Sequence, residues 1–143
     1  MPIRRHHRWF YPIDWRELSV SIRFRRAKGR CEGCGRPHGE LMLHLGNGCW
    51  WDEERHTWRD GAGKVLRRLK PPHTMVERTR LTRVVLATTH RDHDPQNNAP
   101  GNLAALCQRR HVLHDKAEHL RRRRLTYLAR RALGDLFTGS YRR

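Results

Sequence analysis

Apolar side chains gather in only three clusters along this sequence, at residues 84–86, 103–106 and 120–136. Hydrophobic residues make up 36% of the 143, too few for burial alone to hold a free-standing domain of this length, so another source of cohesion is needed. Four cysteines offer one. Cys31 and Cys34 form a Cys-x-x-Cys pair, with Cys49 and Cys107 elsewhere, and Gly33 and Gly35 are available for the positive φ angles of a tight knuckle. No apolar run of a secretory signal follows the basic N-terminal residues. A reducing, cytoplasmic setting is therefore expected, in which clustered thiols bind metal rather than form disulfides. The pair has no thioredoxin-like βαβ pattern around it, which favours zinc over redox chemistry. No apolar stretch approaches the roughly 18 residues of a membrane span, so no membrane partner is expected.

Lys and Arg number 31 against 14 Asp and Glu, a formal net charge of +17, and the basic residues recur from Arg4 to Arg143. A polyanionic partner is the simplest reason for such a surface. The length suits a single domain, residues 1–143, and the sequence contains no internal repeat and no oligomer signal.

Residues 1–13 read as a basic, aromatic arm. Asp14, with Glu17 three residues on, reads as a capping box for a helix over residues 15–27, whose apolar face is Trp15, Leu18, Ile22 and Val20. Packing is the plain role of that helix, although Arg23, Arg25 and Arg26 are also placed to meet a phosphate backbone. The knuckle closes the segment 14–39. Residues 40–83 hold Trp50, Trp51 and Trp58 and two turns, at 52–55 and 60–61, and read as an inserted β-hairpin closed by Pro71-Pro72. Its tryptophans are expected to stabilise the hairpin rather than stack on bases. Residues 81–88 read as one strand, 90–101 as a loop rich in turn formers, 103–107 as a short strand and 108–117 as a helix. A basic amphipathic helix then occupies 118–143, periodic to about residue 137, with Leu120, Leu125, Leu128, Ala132, Leu133 and Leu136 on its apolar side.

Strand, His-bearing loop, short strand and a helix with His near its start succeed one another in this order. The residues are His90-Arg-Asp92-His93-Asp94, Asn97-Asn98, Asn102-Leu103 and Leu106-Cys107-Gln-Arg-Arg-His111. Together with the upstream Cys-x-x-Cys they resemble the HNH endonuclease family, above all its short phage and bacterial members with a zinc knuckle and an Asn-Leu-x-x-Leu-Cys-x-x-Cys-His segment. The resemblance runs from about residue 15 to 118, apart from 40–83. It implies an α+β fold: a ββα-metal (HNH, His-Me finger) core over residues 84–117 with a zinc knuckle, the inserted hairpin, and flanking N- and C-terminal helices.

The resemblance also implies an activity, hydrolysis of DNA phosphodiester bonds with a divalent metal (Mg, Mn, Ni or Zn). Such hydrolysis needs a water deprotonated in line with the leaving oxygen and positive charge where the phosphorane develops. By the same resemblance His90 is the general base, Asn102 braces the loop that carries it, and His111 ligates the catalytic ion. His114 and Asp115 lie one helical turn beyond His111. Many family members place a metal ligand immediately before the base, where this chain has Thr89, so Asp92 or His93 is expected to serve instead. Knuckle members usually have four cysteines, but Arg110 occupies the place that would complete a pair with Cys107. A structural zinc on Cys31, Cys34 and Cys107 then takes Cys49 as its fourth ligand, or His38, or the site is lost.

Double-stranded DNA is the expected partner, with Arg121, Arg122, Arg123 and Arg124 as one backbone anchor and Arg4, Arg5 and Arg8 as the other. Two other readings stay open. One is the same fold as a binding module with a disabled metal site, motivated by Thr89 and Arg110. The other is a structural RNA-binding protein of ribosomal type, which would leave the residues from His90 to His111 without a purpose.

Overall fold

A computed structural model describes residues 5–67 and 79–137 of the chain. Arg4 and Pro71-Pro72 lie outside the described residues. Two compact units divide the chain, Met1–His111 and Val112–Arg143.

Within the basic, aromatic arm expected over 1–13, Arg5–Phe10 form a 3-10 turn. Helix α1 (Trp15–Val20) follows and widens into π-type turns over Ser21–Arg26. Asp14 precedes it, but its carboxylate makes no cap; the main-chain carbonyl of Asp14 accepts the Leu18 N–H instead. Trp15, Leu18 and Ile22 do form the inward face, packing with Ala27 against Leu103 and Ala105. Val20 is 40% exposed and takes no part in it. Left-handed φ angles at Lys28 and Gly29 stop the helix and turn the chain into the knuckle.

Residues 40–83 form more than a hairpin. Strands β1 (Leu41–His44), β2 (Trp50–Asp52), β3 (Thr57–Arg59) and β4 (Arg80–Arg83) make an antiparallel sheet in the order β3-β2-β1-β4. Trp51 and Trp58 are cross-strand partners with ring centroids 5.6 Å apart. Trp50 points the other way and is 1% exposed, between the guanidinium groups of Arg36 and Arg59.

The single strand expected over 81–88 is two. β4 pairs with β1, whereas β5 (Leu86–His90) pairs antiparallel with β6 (Leu103–Cys107), from Leu86 opposite Cys107 to His90 opposite Leu103. The change of partner is bridged by side chains: Gln108 accepts the Val85 N–H and donates to the Arg83 carbonyl, while His38 Nδ1 accepts the Leu86 N–H at 3.0 Å. Every residue of β6 is buried. Its alternation divides the strand between two cores, Leu103 and Ala105 against α1, Ala104 and Leu106 against Trp50, Met42, Val84 and the cysteines.

Helix α2 (Gln108–Phe137) runs unbroken across the boundary expected near residue 118. No Gly or Pro occurs between residues 108 and 133, so nothing in the backbone ends it there. In the second unit Glu118 receives Arg121 at i+3 and Arg122 at i+4. Leu120, Leu125 and Leu128 are about half exposed. Among the described residues no helix is long and apolar enough to cross a membrane.

Candidate active loop and thiol cluster

The last rung of the β5–β6 ladder joins His90 to Leu103, so the residues between them close a loop at the end of that pair. Side-chain hydrogen bonds build it. Asn102 donates through Nδ2 to Asp92 Oδ1 and to the Asn97 carbonyl, both at 2.8 Å, and its Oδ1 accepts the Asp92 N–H at 3.3 Å. Asp92 Oδ1 also accepts the Asp94 N–H, and Oδ2 accepts the Asn97 amide at 2.7 Å. These bonds, the one from Asn102 foremost, hold the Asp92 carboxyl down at about 2. It is ionised at any ordinary pH, and Oδ2 keeps a second lone pair. From outside, Arg26 grips the end of the loop through the Pro100 and Leu103 carbonyls while bonded to both oxygens of Glu32.

His90 is 8% exposed. Its ring stacks on Trp15 with centroids 5.3 Å apart and meets the edge of Tyr11. Asn98 donates from Nδ2 to the carbonyls of Pro95, Gln96 and Phe10, which turns its Oδ1 toward His90 Nε2 at 3.0 Å. Nε2 therefore carries the proton and donates it, and the lone pair of the neutral ring lies on Nδ1. Asn98, read from the sequence as a turn former, is thus the residue that sets the His90 tautomer. Its spacing from His90 carries no sign of this.

His93 is only partly buried and holds φ at +62°, in the left-handed region that a histidine rarely adopts. His111 lies in the first turns of α2, partly buried. Asp115 follows one turn later, its Oδ1 3.0 Å from His114 Nδ1 within the second unit. Thr89 is buried on β5, and its Oγ1 has no hydrogen-bond partner among the described residues.

The thiol cluster lies in the first unit. Sγ atoms of Cys31, Cys34 and Cys107 all fall within 4.8 Å of one another, and each residue is at most 3% exposed. The knuckle turn is set by Gly35, whose N–H reaches the Cys31 carbonyl at 2.7 Å with φ at +77°. Gly33, expected to supply a positive φ as well, is wanted for space instead: a Cβ there would lie 3.2 Å from the Arg110 side chain. Cys31 Sγ receives the main-chain N–H of Cys107 at 3.3 Å, and Cys34 Sγ lies 3.7 Å from Cys107 Sγ. Hydrogen bonds among the thiols push Cys34 up and hold Cys107 below the usual thiol range. Three buried, converging sulfurs are consistent with a metal site.

Neither proposed fourth ligand joins them. Cys49 is outside the cluster because it adjoins Trp50 on a strand: Trp50 takes the inward face beside the three cysteines, so its neighbour faces away. His38 is engaged where β4 gives way to β5, with Phe24 against its ring.

Of the basic residues, Arg23 and Arg26 are bound into the fold through the Ser19, Leu86, Pro100 and Leu103 carbonyls. Arg8, Arg121, Arg122, Arg123 and Arg124 are exposed. Arg5 belongs to the first 3-10 turn. Comparison with protein-family models, with curated proteins and with solved structures found no match for this chain.

Proposed function

We propose that the chain is a metal-dependent endonuclease of HNH type, hydrolysing DNA phosphodiester bonds at the loop between β5 and β6, with the thiol cluster as a separate metal site. The observation that carries this reading is the hold of Asn102 on Asp92. A short polar loop spends several side-chain bonds to present one ionised carboxylate beside one imidazole, and accepts a left-handed backbone at His93 to do so. Strain of that kind is kept where a site needs it.

A bound divalent ion would supply positive charge for the developing phosphorane. By the resemblance, Asp92 and His111 of the first unit are the residues that would hold it. The proton of the attacking water goes to an imidazole of the loop. His93 suits that task better than His90, whose ring is enclosed by Trp15 and Tyr11 and whose Nε2 is bound to Asn98. His90 is then a positioning residue that fixes the start of the loop. Arg8 and Arg121 to Arg124, with Arg4 and Arg5 in the arm, would meet backbone phosphates of double-stranded DNA.

One observation favours a second reading, a nucleic-acid-binding module without catalysis: Thr89, buried, stands where many members of the family that the chain resembles present a metal ligand. Plasmid nicking in Mg²⁺, Mn²⁺, Ni²⁺ or Zn²⁺ against a chelator separates the two. Nicking that requires one of these ions supports the nuclease; tight binding with no nicking in any of them supports the module.

A further inference from the structure

Arg110 and Arg36 bear on how the thiol cluster completes its coordination. The Arg110 side chain lies over the knuckle, with Nη2 on the Gly33 carbonyl at 2.6 Å and its stem against Gly33. Its Nε is buried without an acceptor among the described residues. Arg36, 4% exposed, gives Nη2 to the Gly48 carbonyl and sets its guanidinium over Trp50, both neutral contacts, and its Nε is equally orphaned. A buried cation needs a countercharge, and a buried N–H needs an acceptor. A divalent ion on three thiolates carries a net charge of −1, which offsets the Arg36 guanidinium. Neither Cys49 nor His38 is in the cluster to supply a fourth donor.

We infer that Cys31, Cys34 and Cys107 hold a divalent, thiophilic ion through three protein ligands, and that its fourth position is open to a small anionic donor from solution, of the class of a low-molecular-weight thiolate, beside the Arg36 and Arg110 guanidinium groups. Loading exchanges three thiol protons for three metal–sulfur bonds. An open position is the property that separates a reactive or exchangeable site from a closed structural one. This rests on the reading of the cluster as a metal site and not on strand cleavage, so a failed nicking assay leaves it standing.

The test is the absorption spectrum of the full-length protein loaded with Co²⁺, titrated with 2-mercaptoethanol and, separately, with azide. The wild-type ligand-field and sulfur-to-cobalt bands shift saturably as the thiol is added. Arg110→Cys shows the spectrum of four sulfur ligands with no thiol added, does not respond to it, and holds metal at least tenfold more tightly against a competing chelator. Cys49→Ser leaves the wild-type spectrum and its response unchanged. The inference is overturned if wild type already shows four sulfur ligands and ignores added thiol, if Cys49→Ser alters the spectrum, or if Co²⁺ does not bind.

Discussion

The carboxamide of Asn102 holds Asp92 at two points, donating to its carboxylate at 2.8 Å and accepting its main-chain N–H at 3.3 Å. A third bond, to the Asn97 carbonyl, ties the far side of the loop to the same side chain. Asn102→Ala removes all three together. Residues that orient ligands in this way cost roughly 10- to 100-fold in activity when lost, so metal-dependent nicking is expected to fall by that order. Thermal unfolding is expected to show a loss of about 1–3 kcal/mol, and Asn102→Asp, which keeps an acceptor but loses the donor, is expected not to restore activity.

Acid sensitivity follows from the same carboxylate. The folded-state value of Asp92 is depressed from 3.8 to about 2, so its contribution to stability is complete above the unfolded value and fades as pH falls from about 4 toward 2. Glu118, drawn down from 4.5 to about 2 by Arg121 and Arg122, acts in the same direction. Melting temperatures measured across that range are expected to drop in wild type and to drop less steeply in Asp92→Asn. Equal slopes would mean that the loop bonds to Asp92 are absent in solution.

His90 and His93 are expected to respond differently to truncation. His90→Ala empties a space between Trp15 and Tyr11 and leaves Asn98 Oδ1 without its donor, a loss of about 2–4 kcal/mol. His93→Ala keeps a Cβ at the same left-handed φ and so leaves the backbone strain as it is; with a partly buried ring removed, it is expected to change stability by less than about 1 kcal/mol. Nitrogen-detected NMR is expected to find neutral His90 protonated at Nε2; the Nδ1–H form would contradict the Asn98 hydrogen bond.

Much of this was legible before any coordinates, for local reasons. Cysteines around glycines announce a knuckle, the short apolar run in 103–107 announces a buried strand, and Asn102 lies where a loop meets that strand. What escaped depends on partners distant in sequence. The break at Val84-Val85 exists because Gln108 and His38 reach it, and Cys49 is turned away because Trp50 claims the interior. Asn98 reads as a turn former because its role appears only when Phe10, Pro95 and Gln96 surround its amide. Asp14 looked like a cap by type and spacing, yet its carbonyl, not its carboxylate, serves the helix.

With a net charge of +17, affinity for duplex DNA is expected to fall steeply as salt rises. Replacing Arg123 and Arg124 by Gln, which leaves the Glu118 pairs of Arg121 and Arg122 intact, should flatten the slope of log affinity against log salt by about 0.9 for each phosphate contact removed. Fluorescence anisotropy over a salt series measures this, and an unchanged slope would remove α2 from the interface.

The most direct measurement is the rate of plasmid nicking by wild type and His93→Ala, at matched melting temperature, with saturating Mn²⁺ and with chelator. Nicking by wild type only when metal is present, with a loss of about 10²-fold or more in the variant, is the result expected of a loop whose imidazole takes the proton. Equal rates for the two proteins, or no nicking by wild type in any divalent metal, would contradict it.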